Sequence, residues 1–292
     1  MSRLLEKLTD GFNLIEGPVW DPAFGLIFSD AVDGGVFALS EAGEVSEVFL
    51  HRKGIGGMSK HCSNGLIVSG RNIAFKPLDG GDTRTLLERD LSAGVAGFND
   101  ITTDRLGRIY AGSLGPESVG AKGQAAAGKL FLIDLDGQVT EVANDVRFSN
   151  GLAFSPDGQT LYHSDSFRGT VFTYPVKPDG SLGEKMPFAR VRKGGPDGLA
   201  VDADGSVWVA LAGGGHGVSV FGQDGVETEF IEIPEPLCTS LCFGGDDLKT
   251  LYIVSGSEGA ASDKAGAVYR MRVDVAGVPV SDAAVSLNMV NL

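Results

Sequence analysis

Two carboxylates and two carboxamides recur at one position of an internal repeat, and together they offer the oxygen donors of a hard-cation site. Six short apolar strands open alike: Glu16-Gly17-Pro18-Val19-Trp20, Gly56-Gly57-Met58, Asn99-Asp100-Ile101, Asn150-Gly151-Leu152-Ala153-Phe154, Asp197-Gly198-Leu199-Ala200-Val201 and Thr239-Ser240-Leu241-Cys242-Phe243. Glu16 and Asp197 bring charge, while Asn99 and Asn150 bring neutral carbonyl oxygens. Asn or Asp before Gly commonly opens a turn, so any one of the four alone is an ordinary turn residue. Their recurrence at one register sets them apart. Two carboxylates held together without a cation would raise one pKa and destabilise the fold. A single divalent ion would relieve that repulsion. All-oxygen ligation, with no cysteine or converging histidine, favours calcium, manganese or magnesium, and zinc or ferrous iron remain open by their higher intrinsic affinity. Asp100 breaks the pattern of glycines that follow Glu16, Asn150 and Asp197, so its carboxylate is expected to point away from the ion or toward a neighbouring loop.

Such residues lie far apart in the chain and need a ring to meet. Each repeat runs from its opening strand through a turn such as Asp157-Gly158 or Asp204-Gly205 to a second strand such as Leu161-Tyr162-His163-Ser164 or Val207-Trp208-Val209-Ala210. Asp-Gly between apolar runs is a strong hairpin signal. Third strands (Lys129–Ile133, Thr170–Tyr174, Ala267–Met271) and more polar fourth strands follow. Four antiparallel strands repeated six times predict an all-β, six-bladed β-propeller, with residues 1–292 as a single domain. The first strand of each blade lines the channel, and its first residue sits at one mouth. The stretch Leu4–Leu14 precedes the first full unit and is expected to supply the outer strand of the last blade.

A formal net charge of −14 argues against nucleic-acid or anionic-membrane partners. The opening Met1-Ser2-Arg3-Leu4-Leu5-Glu6-Lys7 lacks the apolar stretch of a signal peptide, and no apolar run is long enough to span a bilayer. Cys62, Cys238 and Cys242 are read as reduced core thiols of a cytoplasmic protein, either a monomer or a small homo-oligomer. His61 and His163 read as packing or turn residues. His216, in a Gly-rich connection, is a candidate substrate contact. Ser164-Asp165-Ser166 has no histidine and acid partner at a spacing that would make a nucleophile. The longest interruption, Leu114–Gly128, is expected to form a lid over the metal.

These motifs resemble the regucalcin/gluconolactonase/luciferin-regenerating-enzyme family. The matching pieces are Glu16–Trp20, Phe98-Asn99-Asp100, Ser149-Asn150-Gly151-Leu152, Pro196-Asp197-Gly198-Leu199 and Thr239–Gly245, in order along nearly the whole chain. The resemblance implies that Glu16, Asn150 and Asp197 ligate a divalent ion, and that Asn99 contacts the ion or a bound substrate. It implies a gluconolactonase-like hydrolase of small lactones, with the ring carbonyl polarised by the metal and Asp197 as the candidate base. Asn99, Asp100 and His216 are the candidate substrate-binding residues. The alternatives are a phosphotriesterase or aryl esterase on the same centre, or a non-catalytic calcium-binding propeller. Sugar-lactone members similar to regucalcin carry an Arg two residues before the equivalent of Asn99, where this chain has Gly97. Either the substrate is less polar than an aldonolactone, or Arg71, Arg147 or His216 takes over that contact.

Overall fold

The computed structural model describes residues 4–116 and 127–287, and its strands form six antiparallel sheets of four. Blade one holds β2 (Ile15–Asp21), β3 (Gly25–Asp30), β4 (Val36–Leu39) and β5 (Val45–Phe49); blade two holds β6 (Met58–His61), β7 (Gly65–Val68), β8 (Ile73–Pro77) and β9 (Arg84–Leu87). Blade three holds β10 (Gly97–Thr103), β11 (Ile109–Leu114), β12 (Gly128–Ile133) and β13 (Val139–Val146). Blade four holds β14 (Ser149–Phe154), β15 (Thr160–Asp165), β16 (Thr170–Pro175) and β17 (Met186–Arg190). Blade five holds β18 (Gly195–Val201), β19 (Val207–Ala212), β20 (Gly217–Phe221) and β21 (Glu227–Glu232). Blade six holds β22 (Leu237–Gly244), β23 (Thr250–Gly256) and β24 (Gly266–Arg272), and it is completed by β1 (Glu6–Phe12), which pairs antiparallel with β24. The expected closure of the last blade by the start of the chain is therefore present.

The pattern of burial follows from the ring. Second strands are covered on both faces by neighbouring blades, so β3 and β7 are buried at every position, and β7 (Gly-Leu-Ile-Val) reads as a continuous apolar run. Fourth strands face solvent, and in β21 (Glu-Thr-Glu-Phe-Ile-Glu) only Ile231 is buried. Innermost strands touch in sequence, β2 to β6, β10, β14, β18, β22 and back to β2, which closes the circle. An apolar cluster fills each junction; Val218, Val220 and Ile231 of blade five, for example, pack with Leu241, Ile253 and Tyr269 of blade six. The Asp-Gly turns form as the sequence suggests: Gly137, Gly158, Gly180, Gly205 and Gly225 take φ between 74° and 87°.

Two features depart from expectation. Cys62 is exposed on the turn between β6 and β7, so only Cys238 is fully buried and Cys242 is half-buried; all three are free thiols. The chain after β24 crosses the far mouth of the channel as a strap. Val278 N–H donates to Val201 O (2.8 Å), Ala283 N–H to Lys60 O (2.7 Å) and Ala284 N–H to Gly107 O (2.9 Å). His61 holds the strap from below. Its Nδ1 accepts from Ser63 N–H (3.0 Å), which leaves Nε2–H to donate to Val285 O (3.0 Å). Between strap and strand starts lies an axial cavity of about 290 Å³, lined by Val19, Met58, Leu152, Phe243 and Val280 and bordered by Asp100. No helix among the described residues is long and apolar enough to cross a membrane.

Candidate metal centre

One extra residue is inserted at the same place in five of the six innermost strands. The register slips between Glu16 and Val19, Phe98 and Ile101, Ser149 and Leu152, Pro196 and Leu199, and Cys238 and Ser240. Such bulges bend a strand and re-aim its side chains. Here they fall on the residues that open each repeat, so the polar side chains come forward at the mouth while the apolar remainder of the strand keeps its place. The glycines after them let the blades approach closely. A methyl group on Gly151 would lie 2.5 Å from the Leu199 backbone nitrogen and 2.6 Å from the Asp197 backbone carbonyl oxygen.

Asp100 occupies the register of those glycines in blade three. It borders the axial cavity, and its charge acts on both Glu16 and Asp197, so it faces the axis and not a loop. Asn150, Asp197 and Asp100 are 6%, 5% and 9% exposed, whereas Glu16 and Asn99 keep part of their surface open to the mouth. Burial drives all three carboxyl pKa values upward. Glu16 lies well above its ordinary value through burial, then Asp197, then Asp100. Asp197 is raised by burial and by Asp100, against a small opposing effect of the Gly198 amide. Asp100 is pushed up by burial to about 7. Among the described residues none of the three forms an ion pair; Lys60, which lines the same cavity, is engaged by Asp21 and Asp282, and the Asp197 Oδ1 atom is buried without a partner.

The amides are aimed by backbone carbonyls, which can only accept hydrogen bonds, acting directly on Asn99 and through a serine hydroxyl on Asn150. Asn99 Nδ2 donates to the Ser149 carbonyl (2.9 Å) and also to Asn150 Oδ1. Asn150 Nδ2 donates to Ser166 Oγ (2.7 Å), whose own proton goes to the Pro196 carbonyl (2.7 Å). Asn150 therefore turns its oxygen away from Ser166, toward Asn99. Ser149, buried, also bonds His163 Nε2 (3.0 Å), and burial lowers that imidazole to about 4, so it is neutral at physiological pH. Two further carboxylates clamp the backbone leading into the site. Asp30 accepts from Asn13 N–H (2.9 Å) and Leu14 N–H (3.4 Å), just before Glu16; Asp165 accepts from Arg147 N–H (3.0 Å) and Phe148 N–H (3.2 Å), just before Asn150.

Among the described residues no three Asp, Glu, His or Cys side chains converge on one point, so a cation here would need amide oxygens as well. The donor set fits a divalent cation: clustered acids without an ion-pair partner, an orphaned carboxylate oxygen, and amide groups held in orientation. His216 stands apart from this network. Its amide leans on Pro236 O (3.4 Å) and its carbonyl accepts from Ile233 N–H (2.9 Å), which ties it between blades five and six. At Gly97 a side chain would press on the Gly70 carbonyl (3.0 Å), and the Cα of Arg71 lies 4.0 Å away. The expected lid, Leu114–Gly128, lies for residues 117–126 outside the described residues. In the sequence Ser166 stands out only within Ser164-Asp165-Ser166 and Ser149 only within a family motif; neither carries a sign of its orienting role.

The SMP-30/gluconolactonase/LRE-like region model matches residues 14–257. The chain belongs to this family. A 6-deoxy-6-sulfogluconolactonase of Pseudomonas putida is 33% identical over 274 residues, covering 90% of this chain and 92% of that protein. Regucalcin of Gallus gallus is 28% identical over 293 residues, covering 93% and 95%. Among solved structures, a luciferin-regenerating enzyme superposes with a TM-score of 0.84 at 24% identity, over 96% of this chain and 99% of that one. This member of the SMP-30/gluconolactonase/LRE-like family thus shares its propeller with relatives over nearly its full described length.

Proposed function

We propose that the chain is a metal-dependent lactonase that opens the ring of a small lactone of the sugar type. Family membership and the 33% identity to a 6-deoxy-6-sulfogluconolactonase support the substrate class. The observation that carries the metal requirement is the cluster of Glu16 with the buried Asp100 and Asp197, none of them in an ion pair among the described residues, and one Asp197 oxygen unpartnered. Glu16, Asn150 and Asp197 would hold the ion, and Asn99 would contact the ion or orient the ring ester oxygen. When bound, a divalent ion supplies polarisation of the lactone carbonyl and a lowered pKa for the attacking water.

The protein's own part is positioning and proton transfer. Asp197 Oδ1 takes a proton from the attacking water as its oxygen bonds to the carbonyl carbon. The ring C–O bond then breaks, and the proton returns to the departing ring oxygen, leaving a hydroxy acid. Asp197→Asn keeps the shape but removes both the base and a carboxylate ligand, so hydrolysis should drop by about 10²-fold or more, at least the scale of general-base catalysis, with the fold intact. The test measures metal content of protein purified without added salts, then hydrolysis of sugar lactones, an aryl ester and a phosphotriester before and after chelation. Lactone hydrolysis that survives chelation, or full activity in Asp197→Asn, refutes the mechanism. Preference for the phosphotriester refutes the substrate class.

A further inference from the structure

Ser164-Asp165-Ser166 carries polar chemistry that no nucleophilic role explains. Asp165 is accounted for by the backbone it clamps. Ser166 is not: it stands at the start of a single 3-10 turn (Ser166–Arg168), and its side chain reaches across from blade four to the backbone of blade five. Its hydroxyl lies between Asn150 Nδ2 (2.7 Å) and the Pro196 carbonyl (2.7 Å). A carbonyl has no proton to give, so the Ser166 proton must lie toward Pro196, and its oxygen is left to accept from Asn150. Only the NH2 end of the Asn150 carboxamide can face that oxygen. The opposite end, the carbonyl oxygen, is thereby presented to Asn99 on the neighbouring innermost strand. Pro196 is also the residue before Asp197, so one hydroxyl sets the donor atom of blade four and touches the backbone that carries the acid of blade five.

We propose that Ser166 is a positioning residue of the metal centre, selecting the oxygen-inward orientation of Asn150. This rests on the metal reading above and extends it to a residue with no ligand role. Without the hydroxyl, the carboxamide loses the acceptor that fixes its NH2 end and keeps only the Asn99 contact at its oxygen end, so the reversed orientation becomes populated. Partners that orient ligands in this way are commonly worth about 10- to 100-fold in metal affinity.

The test titrates metal-free protein with Ca²⁺ and, separately, with Mn²⁺ by calorimetry. Ser166→Ala should weaken binding at least tenfold with the melting temperature of the metal-free protein little changed, and Ser166→Thr, which keeps the hydroxyl, should restore it. The deciding arm repeats Ser166→Ala in an Asn150→Asp background. A carboxylate offers oxygen at both ends, so orientation no longer matters and the serine should cost little there. An unchanged affinity in Ser166→Ala overturns the proposal, as does an equal loss in both backgrounds, which would mark a general structural effect. Wild-type protein that takes up neither ion removes the metal reading itself, a result distinct from both.

Discussion

Replacing Asp100 with asparagine isolates the electrostatic cost of the acid cluster. Asp100 has an ordinary carboxyl pKa of 3.8 and lies at about 7 in the folded protein, through burial. Below pH 4 it is protonated folded or unfolded and contributes nothing. Between pH 4 and 7 the folded state keeps a proton that the unfolded chain has released, so stability falls as pH rises. Three pH units at about 1.4 kcal/mol each give a cost of ~4 kcal/mol, reached in full above pH 7. His51 and His163, both lowered to about 4 by burial, act in the opposite sense, since the unfolded chain binds their protons preferentially up to about pH 6.5. Those terms are common to both proteins and cancel in the difference. Urea unfolding in chelator at pH 4.5, 6, 7 and 8 should therefore show Asp100→Asn gaining on the wild type as pH rises, by up to ~4 kcal/mol. Relief of Glu16 and Asp197, both raised in part by Asp100, adds to the gain. A saturating divalent ion should shrink it. A stability difference that does not change with pH would show that Asp100 carries no buried charge penalty, and the reasoning would fail.

Gly151→Ala should lower stability by about 1–3 kcal/mol, because its methyl group meets backbone atoms of Leu199 and Asp197 that cannot swing aside. Thermal melts of metal-free protein measure this, and an unchanged melting temperature contradicts the close approach of blades four and five. Arg71→Ala should raise KM for sugar lactones about tenfold with kcat nearly unchanged, the signature of lost uniform binding, if Arg71 makes the contact that Gly97 cannot. Steady-state kinetics decide it, and an unaltered KM assigns that contact elsewhere.

Much of the architecture was legible because it is local and repeated. Asp157-Gly158 and Asp204-Gly205 carry their turn geometry in two residues, and Val207–Leu211 announces a strand covered on both faces by being apolar throughout. Repetition then places Glu16, Asn99, Asn150 and Asp197 at one register, and a register shared around a closed ring is a shared place in space. Asp100 was harder to read. Its neighbours in the repeat are glycines, which give no direction, and only the packed ring turns it toward the axis beside Glu16 and Asp197.

Composition and periodicity alone thus determine the six four-stranded blades, the closing strand at the start of the chain and the candidate donor residues. Tertiary structure alone decides which way those donors face. The Ser149 carbonyl orients Asn99, the Pro196 carbonyl acts through Ser166 on Asn150, and Val285, 224 residues from His61, secures the strap across the far mouth. Hydrogen-bond direction depends on which acceptors are brought alongside. Those acceptors are mostly backbone carbonyls, which every residue possesses and no sequence pattern can distinguish.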